Sequence, residues 1–466
     1  MPAQMPLRVF LLILILFSGA AVLADPCAVP AVVVADISLA GNETTKSQVM
    51  LRELTFAPGD TVPAEALEPL LQENQTRLLN LRLFHHVNYT YTCSDGQVRV
   101  QYEVQERFYL YPIPIFDFAD RNFNAWLEKK DWSRIDYGLN LVRRNFRGRN
   151  EEVRVRVQRG FNKRLELGYR IPYIWRRHNL GADFSVADYR SRTISYTNLN
   201  NKQRFFEQES GMPIRRTSVS AALVHRQNVQ RQSGLRLSFL DEHISDSVTL
   251  LNPDYYRNAE QERQYLRLEL YRVVNRRNDF AYPTAGSYFE AILSQTMFLK
   301  NSGAPFTAAR AKYVQYVPLS EKYTYMAGAE GQLRLAGRHA FADNIALGYR
   351  SYVRGYELYV VGGQHYGLFK QGLSRQVLDI QSINLTFIDN PKFNRIPLAL
   401  YLNAFTDAGY VVDNVFEKQN PLTNRLLLGS GLGLHAVTFY DIVLRLEYTL
   451  NREGDRGMYF SARFPF

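Results

Sequence analysis

Long apolar runs are missing from this 466-residue sequence beyond its first 24 residues. A helix needs about 20 consecutive apolar residues to span a bilayer, so the rest of the chain predicts no helical membrane anchor. Strands that cross membranes are short and alternate in polarity, and they produce no such run. A membrane location therefore stays open, and the 30 Tyr and 28 Phe of the chain need an explanation.

Cysteine is also scarce, since Cys27 and Cys93 are the only two in the chain. Both fall early, and in an exported protein we expect them to form a disulfide. Closing a loop of that length would destabilise the unfolded chain by about 4 kcal/mol on the loop-entropy model. Two free thiols are the alternative, which an oxidising compartment disfavours.

The sequence has few patterns that mark catalytic or metal sites. No serine lies in a nucleophile-elbow setting, and disulfide-bonded cysteines would leave no thiol nucleophile. His85 and His86 are adjacent, so on a strand they would point to opposite faces and not share a metal ion. Residues 429–433 (GSGLG) lack the Lys-Ser/Thr of a phosphate-binding loop, and small residues packing in a strand explain them better. We therefore predict no enzyme, no cofactor and no metal.

The first 24 residues differ in character from the rest. Arg8 precedes an apolar run over residues 9–17, and small residues continue up to Ala24. This order predicts a secretory signal peptide, residues 1–24, cut after Ala24. An uncleaved membrane anchor is the alternative, but residues 9–24 are short for a bilayer span.

The formal net charge is +11, from 56 Lys and Arg against 45 Asp and Glu. Such an excess can indicate a nucleic-acid or anionic-surface partner. Many of the arginines, however, lie within alternating segments, and the exported chain has no compact basic helix or recognised nucleic-acid motif. We predict no nucleic-acid partner.

Residues 25–107 predict one small α+β domain. Thr45 and Gln48 have the spacing of a capping box at the start of a short helix. A second helix is expected from about Thr61 and Pro63, because leucines recur there at helical spacing. Two alternating strands, HVNYTYT and QVRVQYEV, close the domain, and the predicted order is β-α-α-β-β.

Residues 108–134 contain two prolines and many aromatics. We interpret them as a connector that packs at a membrane-water boundary, where Tyr and Trp are favoured. An ordinary interdomain linker is the alternative.

From residue 135 to residue 466 the apolar pattern has a period of two. Segments such as RLELGYRIPYI, YLRLELY and IVLRLEYTL place apolar residues on one face and Arg and Glu on the other. A soluble sandwich would also alternate, but the polar second face suits a wet lumen and aromatics cluster near strand ends. We predict a membrane all-β fold, an antiparallel transmembrane β-barrel of about 16 strands. Its last residues are MYFSARFPF, with Phe460, Phe464 and Phe466 in phase.

Short motifs in a fixed order strengthen this prediction. They are VRGY at residues 353–356, FTDAG at 405–409, NFRGRNE at 145–151 and YPTAG at 282–286. With export, one β-α-α-β-β unit and a terminal Phe, the chain resembles the BamA/TamA superfamily of outer-membrane assembly factors, as a member with a single POTRA domain. Other members of that superfamily carry more than one POTRA domain, whereas this chain has room for one. Of the family's properties, partner docking is therefore the one that the resemblance supports least.

The resemblance implies roles for particular residues. Val353, Arg354, Gly355 and Tyr356 would form the tip of an extracellular loop folded into the lumen. Arg354 would pair there with Asp407 of the second signature, which also includes Phe405 and Gly409. Phe460, Phe464 and Phe466 would form the signal of the terminal strand. A solvated Arg354 and an ordinary turn aspartate are the alternative.

The resemblance also implies a weak seam between the first and last strands, expected at residues 135–144 and 458–466. Client polypeptides would template on the first strand and leave through the seam by β-augmentation. The protein would lie in the bacterial outer membrane, with its N-terminal domain in the periplasm. Its expected partners are outer-membrane lipids, client outer-membrane or secreted polypeptides, and periplasmic or lipoprotein partners at the POTRA domain. A passive or dedicated export pore, or a structural or lipid-handling envelope protein, is the alternative.

Overall fold

The computed structural model describes residues 29–119, 124, 126–127, 130–175, 179–228, 230–299, 304–384, 395–438 and 442–463. The expected signal peptide, Cys27, Phe464 and Phe466 lie outside the described residues. The signal peptide, the disulfide to Cys93 and the end of the terminal-strand signal therefore stay predictions. The chain divides into two compact units, Met1–Arg107 and Phe108–Phe466.

The first unit is a four-stranded sheet in the order β2-β1-β4-β3, with two helices. β1 runs parallel to β4, and β3 runs antiparallel to it. The α+β class predicted for this unit is confirmed, and a three-residue strand before the second helix is added to the predicted order. The elements are β1 (Ala31–Ala40), α1 (Ser47–Leu51), β2 (Thr61–Pro63), α2 (Ala64–Leu79), β3 (Phe84–Ser94) and β4 (Gln97–Glu106).

The core of this unit lies between α2 and the sheet. Leu67, Leu71 and Leu78 recur on one face of α2 and are buried. Tyr102 of β4 is fully buried as well. This burial raises the pKa of Tyr102 to about 12, because a phenolate would lose its hydration there.

The predicted capping box at Thr45 is wrong. The helix starts at Ser47, and its N-cap, Lys46, makes no side-chain cap hydrogen bond. Thr45 instead donates its backbone N–H, at 2.7 Å, and its hydroxyl to the carboxylate of Glu106. A long-range acceptor therefore replaces the local one that the spacing suggested.

The second unit is a 16-stranded sheet, and the predicted strand number is confirmed. Its strands follow chain order and pair antiparallel, with β10 and β11 set apart as a separate hairpin. One helix, α3 (Asp246–Leu251), lies in a connection. The strands are β5 (Leu110–Phe118), β6 (Ile135–Phe146), β7 (Glu151–Gly160), β8 (Asn162–Trp175), β9 (Leu180–Ser191), β10 (Thr193–Leu199), β11 (Lys202–Glu207), β12 (Ile214–Asn228), β13 (Arg231–Ile244), β14 (Glu262–Asn275), β15 (Gly286–Phe298), β16 (Phe306–Pro318), β17 (Tyr323–Ala336), β18 (His365–Asn384), β19 (Arg395–Val412), β20 (Leu426–Thr438), β21 (Ile442–Asn451) and β22 (Arg456–Arg463).

Polarity in this sheet is the reverse of that in a soluble protein. Leu165 and Leu335 are 50% and 67% exposed on the outer face. Glu242, Arg263 and Asp407 are buried on the inner side. An apolar exterior around a charged interior is the pattern of a membrane barrel, in which alternate residues face lipid and lumen.

No helix among the described residues is both long and apolar enough to cross a bilayer.

The predicted connector over residues 108–134 is wrong in part, because Leu110–Phe118 forms β5, the first strand of the large sheet. Residues 135–144, predicted as the first strand, belong to β6, the second. Pro112 and Pro114 argued against a strand, since proline cannot donate a ladder hydrogen bond. β5 is an edge strand that pairs with β6 alone among the described residues, and such an edge tolerates proline.

Candidate functional site

Residues 337–364 connect β17 to β18 and form what we call the lumen loop. A bridge between Leu347 and Val361 closes its stem. Val353 and Tyr356 at its tip are buried in an apolar cluster with residues of β18, β19 and β20. The loop therefore packs against the inner wall of the sheet as a structured element.

Arg354 at the tip of the lumen loop reaches Asp407 in β19. Its Nη2 donates to Oδ1 at 2.6 Å, its Nε donates to Oδ2 at 2.8 Å, and its backbone N–H donates to Oδ2 at 3.1 Å. The Asp407 side chain is fully buried. A guanidinium fork that binds both carboxylate oxygens fixes direction as well as distance, so the structure brings the two predicted residues together.

Other groups surround this ion pair. The Arg354 guanidinium lies over the Phe405 ring, with Cζ 3.6 Å from the ring centroid. Lys370 Nζ lies 3.4 Å from Asp407 Oδ2, and Glu447 Oε1 lies 3.4 Å from Arg354 Nη1. Two cations therefore face two carboxylates, which offsets much of the cost of burying each charge.

Three glycines let the loop approach the wall this closely. Gly355 has φ +94°, a conformation that favours glycine. A Cβ on Gly409 of β19 would lie 2.5 Å from Val353 Cγ2, and one on Gly429 of β20 would lie 1.8 Å from the Arg354 carbonyl oxygen. Sequence reasoning treated Gly429 as general packing in a strand and missed its contact with the loop.

The turn between β14 and β15 also reaches inward. Tyr282 Oη lies 2.9 Å from His435 Nδ1, and its ring stacks on Tyr401 at 4.2 Å between centroids. Tyr282 and Arg354 both line a cavity of about 420 Å³. Because the turn and the lumen loop join opposite ends of the strands, they bound this cavity from two sides.

The turn carrying NFRGRNE joins β6 to β7. Asn150 donates its backbone N–H to Asn145 Oδ1 at 2.9 Å, and Arg147 Nε lies 2.9 Å from Glu151 Oε2. These contacts hold a tight hairpin turn.

Connections at the lumen-loop end of the sheet are joined through Asn201. This residue follows β10 and is fully buried. Its backbone N–H donates to Asn420 Oδ1 at 2.9 Å, and its carbonyl oxygen accepts from the Val360 N–H at 2.7 Å. The β10–β11 hairpin, the lumen loop and the β19–β20 connection are therefore held together.

The two ends of the large sheet, β5 and β22, form the seam. Within the described residues β5 pairs only with β6, and β22 pairs only with β21. Asn124 lies in the connection after β5. Its side-chain nitrogen donates to the Phe460 carbonyl oxygen in β22, and its side-chain oxygen accepts from the Phe460 N–H. The sheet thus curls until its ends meet, but no ladder of backbone hydrogen bonds joins the two described strands.

The outer-facing side chains of β22 include Met458 and Phe460, which are 65% and 37% exposed. Phe460 is the described member of the predicted terminal-strand signal.

Within the part of the chain that the structure describes, no group of three or more His, Cys, Asp or Glu side chains could hold a metal ion.

The fold and this inner site define an outer-membrane β-barrel with an N-terminal POTRA domain. Residues 145–462 match the Omp85 superfamily domain, and residues 32–107 match POTRA, described as a surface antigen variable number repeat. The chain belongs to the Omp85 superfamily. Its members are non-enzymatic assembly and transport proteins, in agreement with the prediction that this chain is not an enzyme.

Solved structures share the fold at low identity. BamA from Haemophilus ducreyi lacking POTRA domains 1-3 matches with a TM-score of 0.54 and 14% identity, over 93% of this chain and 85% of that one. CdiB from Escherichia coli matches with a TM-score of 0.56 and 13% identity, over 92% of this chain and 75% of that one. No curated protein matches the chain.

Family membership supports outer-membrane protein insertion or secretion-type translocation as the class of function, and it implies an outer-membrane location.

Proposed function

We propose that this protein inserts or translocates polypeptides across the outer membrane through the seam between β5 and β22. The observation that carries the proposal is the seam itself, two strand ends that meet without a described backbone ladder. Unpaired strand edges bind extended polypeptides by β-augmentation. The POTRA domain lies in the periplasm and binds clients and periplasmic partners there.

In this proposal the ion pair of Arg354 and Asp407 keeps the lumen loop on the wall formed by β18, β19 and β20. The loop contacts Glu447 and Asn451 of β21 as well, at 3.4 Å from Arg354 Nη1 and 2.8 Å from the Gly355 carbonyl oxygen. β21 is the only described neighbour of β22. The loop therefore braces β21, the strand that pairs with β22 at the seam.

A permanently open solute channel fits the structure less well. Asn201 ties three connections together at one end of the sheet. Tyr282 projects into the lumen from the other end. Both features obstruct a straight aqueous path.

Depletion of the protein followed by quantitative outer-membrane proteomics tests the proposal. Broad loss of barrel proteins would identify insertion, whereas loss of one secreted protein would identify dedicated export. An unchanged set of outer-membrane and secreted proteins would contradict the proposal. Complementation with the wild-type gene is the control for indirect effects.

A further inference from the structure

The two edges of the seam differ in their backbone hydrogen-bonding groups. Immediately before β5, the Tyr109 carbonyl oxygen accepts from the Arg144 N–H at 2.8 Å, and immediately after β5 the Ala119 N–H donates to the Arg134 carbonyl oxygen at 2.8 Å. In an antiparallel pair the N–H and C=O of one residue point to the same side. The backbone N–H and C=O groups of odd-numbered residues in β5 therefore point toward β6. Those of even-numbered residues point toward the seam.

The seam-facing residues of β5 are poor in donors. They are Leu110, Pro112, Pro114, Phe116 and Phe118. The two prolines have no N–H, and the Phe118 N–H already donates to Asp117 Oδ1 at 3.1 Å. Leu110 and Phe116, at the two sides of the proline pair, supply the remaining donors. An incoming strand could therefore not form a continuous ladder along this edge.

The edge of β22 has its donors intact. The Phe460 N–H donates to Asn124 Oδ1 at 3.0 Å, and the Phe460 carbonyl oxygen accepts from Asn124 Nδ2 at 3.2 Å. Because the backbone groups of Phe460 point toward the seam, those of Arg456, Met458 and Ala462 point there too. None of these residues is proline, so each offers one donor and one acceptor.

The group that occupies Phe460 indicates what this edge binds. A carboxamide carries one carbonyl acceptor and N–H donors, as a peptide group does. Asn124 uses both on the N–H and C=O of a single residue, which is how a neighbouring strand would bind that residue in an antiparallel ladder. The Asn124 carboxamide thus takes the place of the N–H and C=O of one residue in a neighbouring strand.

We propose that an extended client polypeptide docks on β22, displacing Asn124 from Phe460, and that β5 is the blocked edge of the seam. This inference rests on the proposed passage of polypeptides through the seam, and it replaces the sequence-based expectation that clients template on the first strand. Recognition is through the backbone, so the edge accepts strands of varied sequence. Asn124 keeps the edge occupied when no client is bound.

Photo-crosslinking from the two edges tests the inference. The side chains of Phe116 in β5 and Met458 in β22 both point outward and are both 65% exposed. Two variants, each with a photoreactive amino acid at one of these positions, therefore form a matched pair. The probe is a biotinylated peptide with the sequence of β21, Ile442–Asn451, added to the full-length protein in lipid vesicles. The control probe is the same peptide methylated on alternate backbone nitrogens, which cannot pair as a strand.

We expect peptide adducts at position 458 to exceed those at position 116 several-fold, and the methylated peptide to give none above background. Asn124→Ala should raise the adducts at position 458, by roughly tenfold if two hydrogen bonds of ordinary strength are lost. Gln230→Ala, which removes an exposed carboxamide in the connection between β12 and β13, should not. Replacing both Pro112 and Pro114 with Ala should restore donors and increase adducts at position 116.

Adducts mainly at position 116, or crosslinks from position 458 to β5 of the same chain, would overturn the inference and leave the proposed function standing. Failure of the proposed function has a separate readout, since depletion would then leave the outer-membrane and secreted proteins unchanged. Equal labelling by both peptides would also overturn the inference, because it would show that backbone pairing is not involved.

Discussion

At the scale of single residues, the buried ion pair of Arg354 and Asp407 is the contact that we expect to hold the lumen loop most strongly. Removing one member of a buried ion pair leaves the other charge unpaired and costs about 3 to 5 kcal/mol. We expect Arg354→Ala and Asp407→Asn to release the lumen loop, measured as faster protease cleavage within residues 337–364. Arg354→Lys should restore little, because an ammonium cannot bind both carboxylate oxygens as the fork does.

Arg190→Ala is the matched control for this prediction. Arg190 pairs with Asp188 at 2.8 Å, but its side chain is 43% exposed, and an exposed pair contributes about 1 kcal/mol or less. Equal protease sensitivity of the Arg354 and Arg190 variants would contradict a special role for the inner pair.

Gly429 gives a second prediction at this scale. Gly429→Ala would place a Cβ 1.8 Å from the Arg354 carbonyl oxygen, so the loop tip must move away from β20. We expect loop cleavage similar to that of Asp407→Asn, with the barrel still folded by its heat-modifiable mobility on electrophoresis. Gly367→Ala is the control, because a Cβ there meets nothing within 4 Å. An intact loop in Gly429→Ala would show that the wall yields instead.

Glu106 predicts how the POTRA domain responds to acid. Burial alone would raise the pKa of Glu106, but hydrogen bonds from the Thr45 hydroxyl and N–H and from the Thr44 N–H outweigh it, and the pKa is lowered. A carboxylate with a lowered pKa stabilises the folded domain above its unfolded pKa of about 4.3. That contribution is lost as pH falls through the lower folded value.

Hydrogen exchange in the full-length protein measures this effect. We expect protection of the Thr45 amide to fall between about pH 4.5 and more acidic conditions, and Glu106→Gln to remove most of that pH dependence. Unchanged protection across this range in the wild-type protein would contradict the assignment.

At the scale of elements, alternation alone predicted most of the large sheet. The run Leu266–Leu270 in β14 and most of β21 show a period of two, because one face meets lipid and the other meets the lumen. β5 escaped prediction because Pro112 and Pro114 lower strand propensity in every setting except an edge. The sequence does not display the pairing of β5. Only that pairing shows that the backbone nitrogens of both prolines point away from β6.

Some residues of the inner site and the seam could likewise be predicted from the sequence, and others could not. The VRGY and FTDAG motifs indicated Arg354 and Asp407 through family resemblance. Gly429 and Asn124 act through contacts with residues distant in sequence, the Arg354 carbonyl oxygen and the Phe460 backbone. No local pattern marks such residues, so they became visible only when the strands were placed.

The β14–β15 turn gives a prediction at the element scale. Tyr282 lines the cavity of about 420 Å³ and stacks on Tyr401. Tyr282→Ala should therefore widen the lumen and increase single-channel conductance in planar bilayers. Tyr313→Ala, which removes a tyrosine that is 47% exposed on the outer face, should leave conductance unchanged. Equal conductance of the two variants would place the constriction elsewhere.

At the scale of the whole molecule, the barrel is held as a curled sheet by contacts between distant connections and not by a described ladder at its seam. Arg354 links the lumen loop to β19 and β21, and Asn124, in the connection between β5 and β6, hydrogen-bonds the backbone of β22. Such a molecule can keep its inner site intact while its seam changes. We therefore predict that movement concentrates between β5 and β22.

Locking the seam tests this central claim most directly. Ile115→Cys in β5 and Ser461→Cys in β22 would be joined by a short reducible bifunctional linker, in cells depleted of the wild-type protein. The control pair, Ile113→Cys with Asn140→Cys, joins β5 to β6, which are already paired. We predict that linking the seam stops the accumulation of client proteins and that reduction restores it, while the control pair has no effect. Full client accumulation with a completely crosslinked seam would contradict the account.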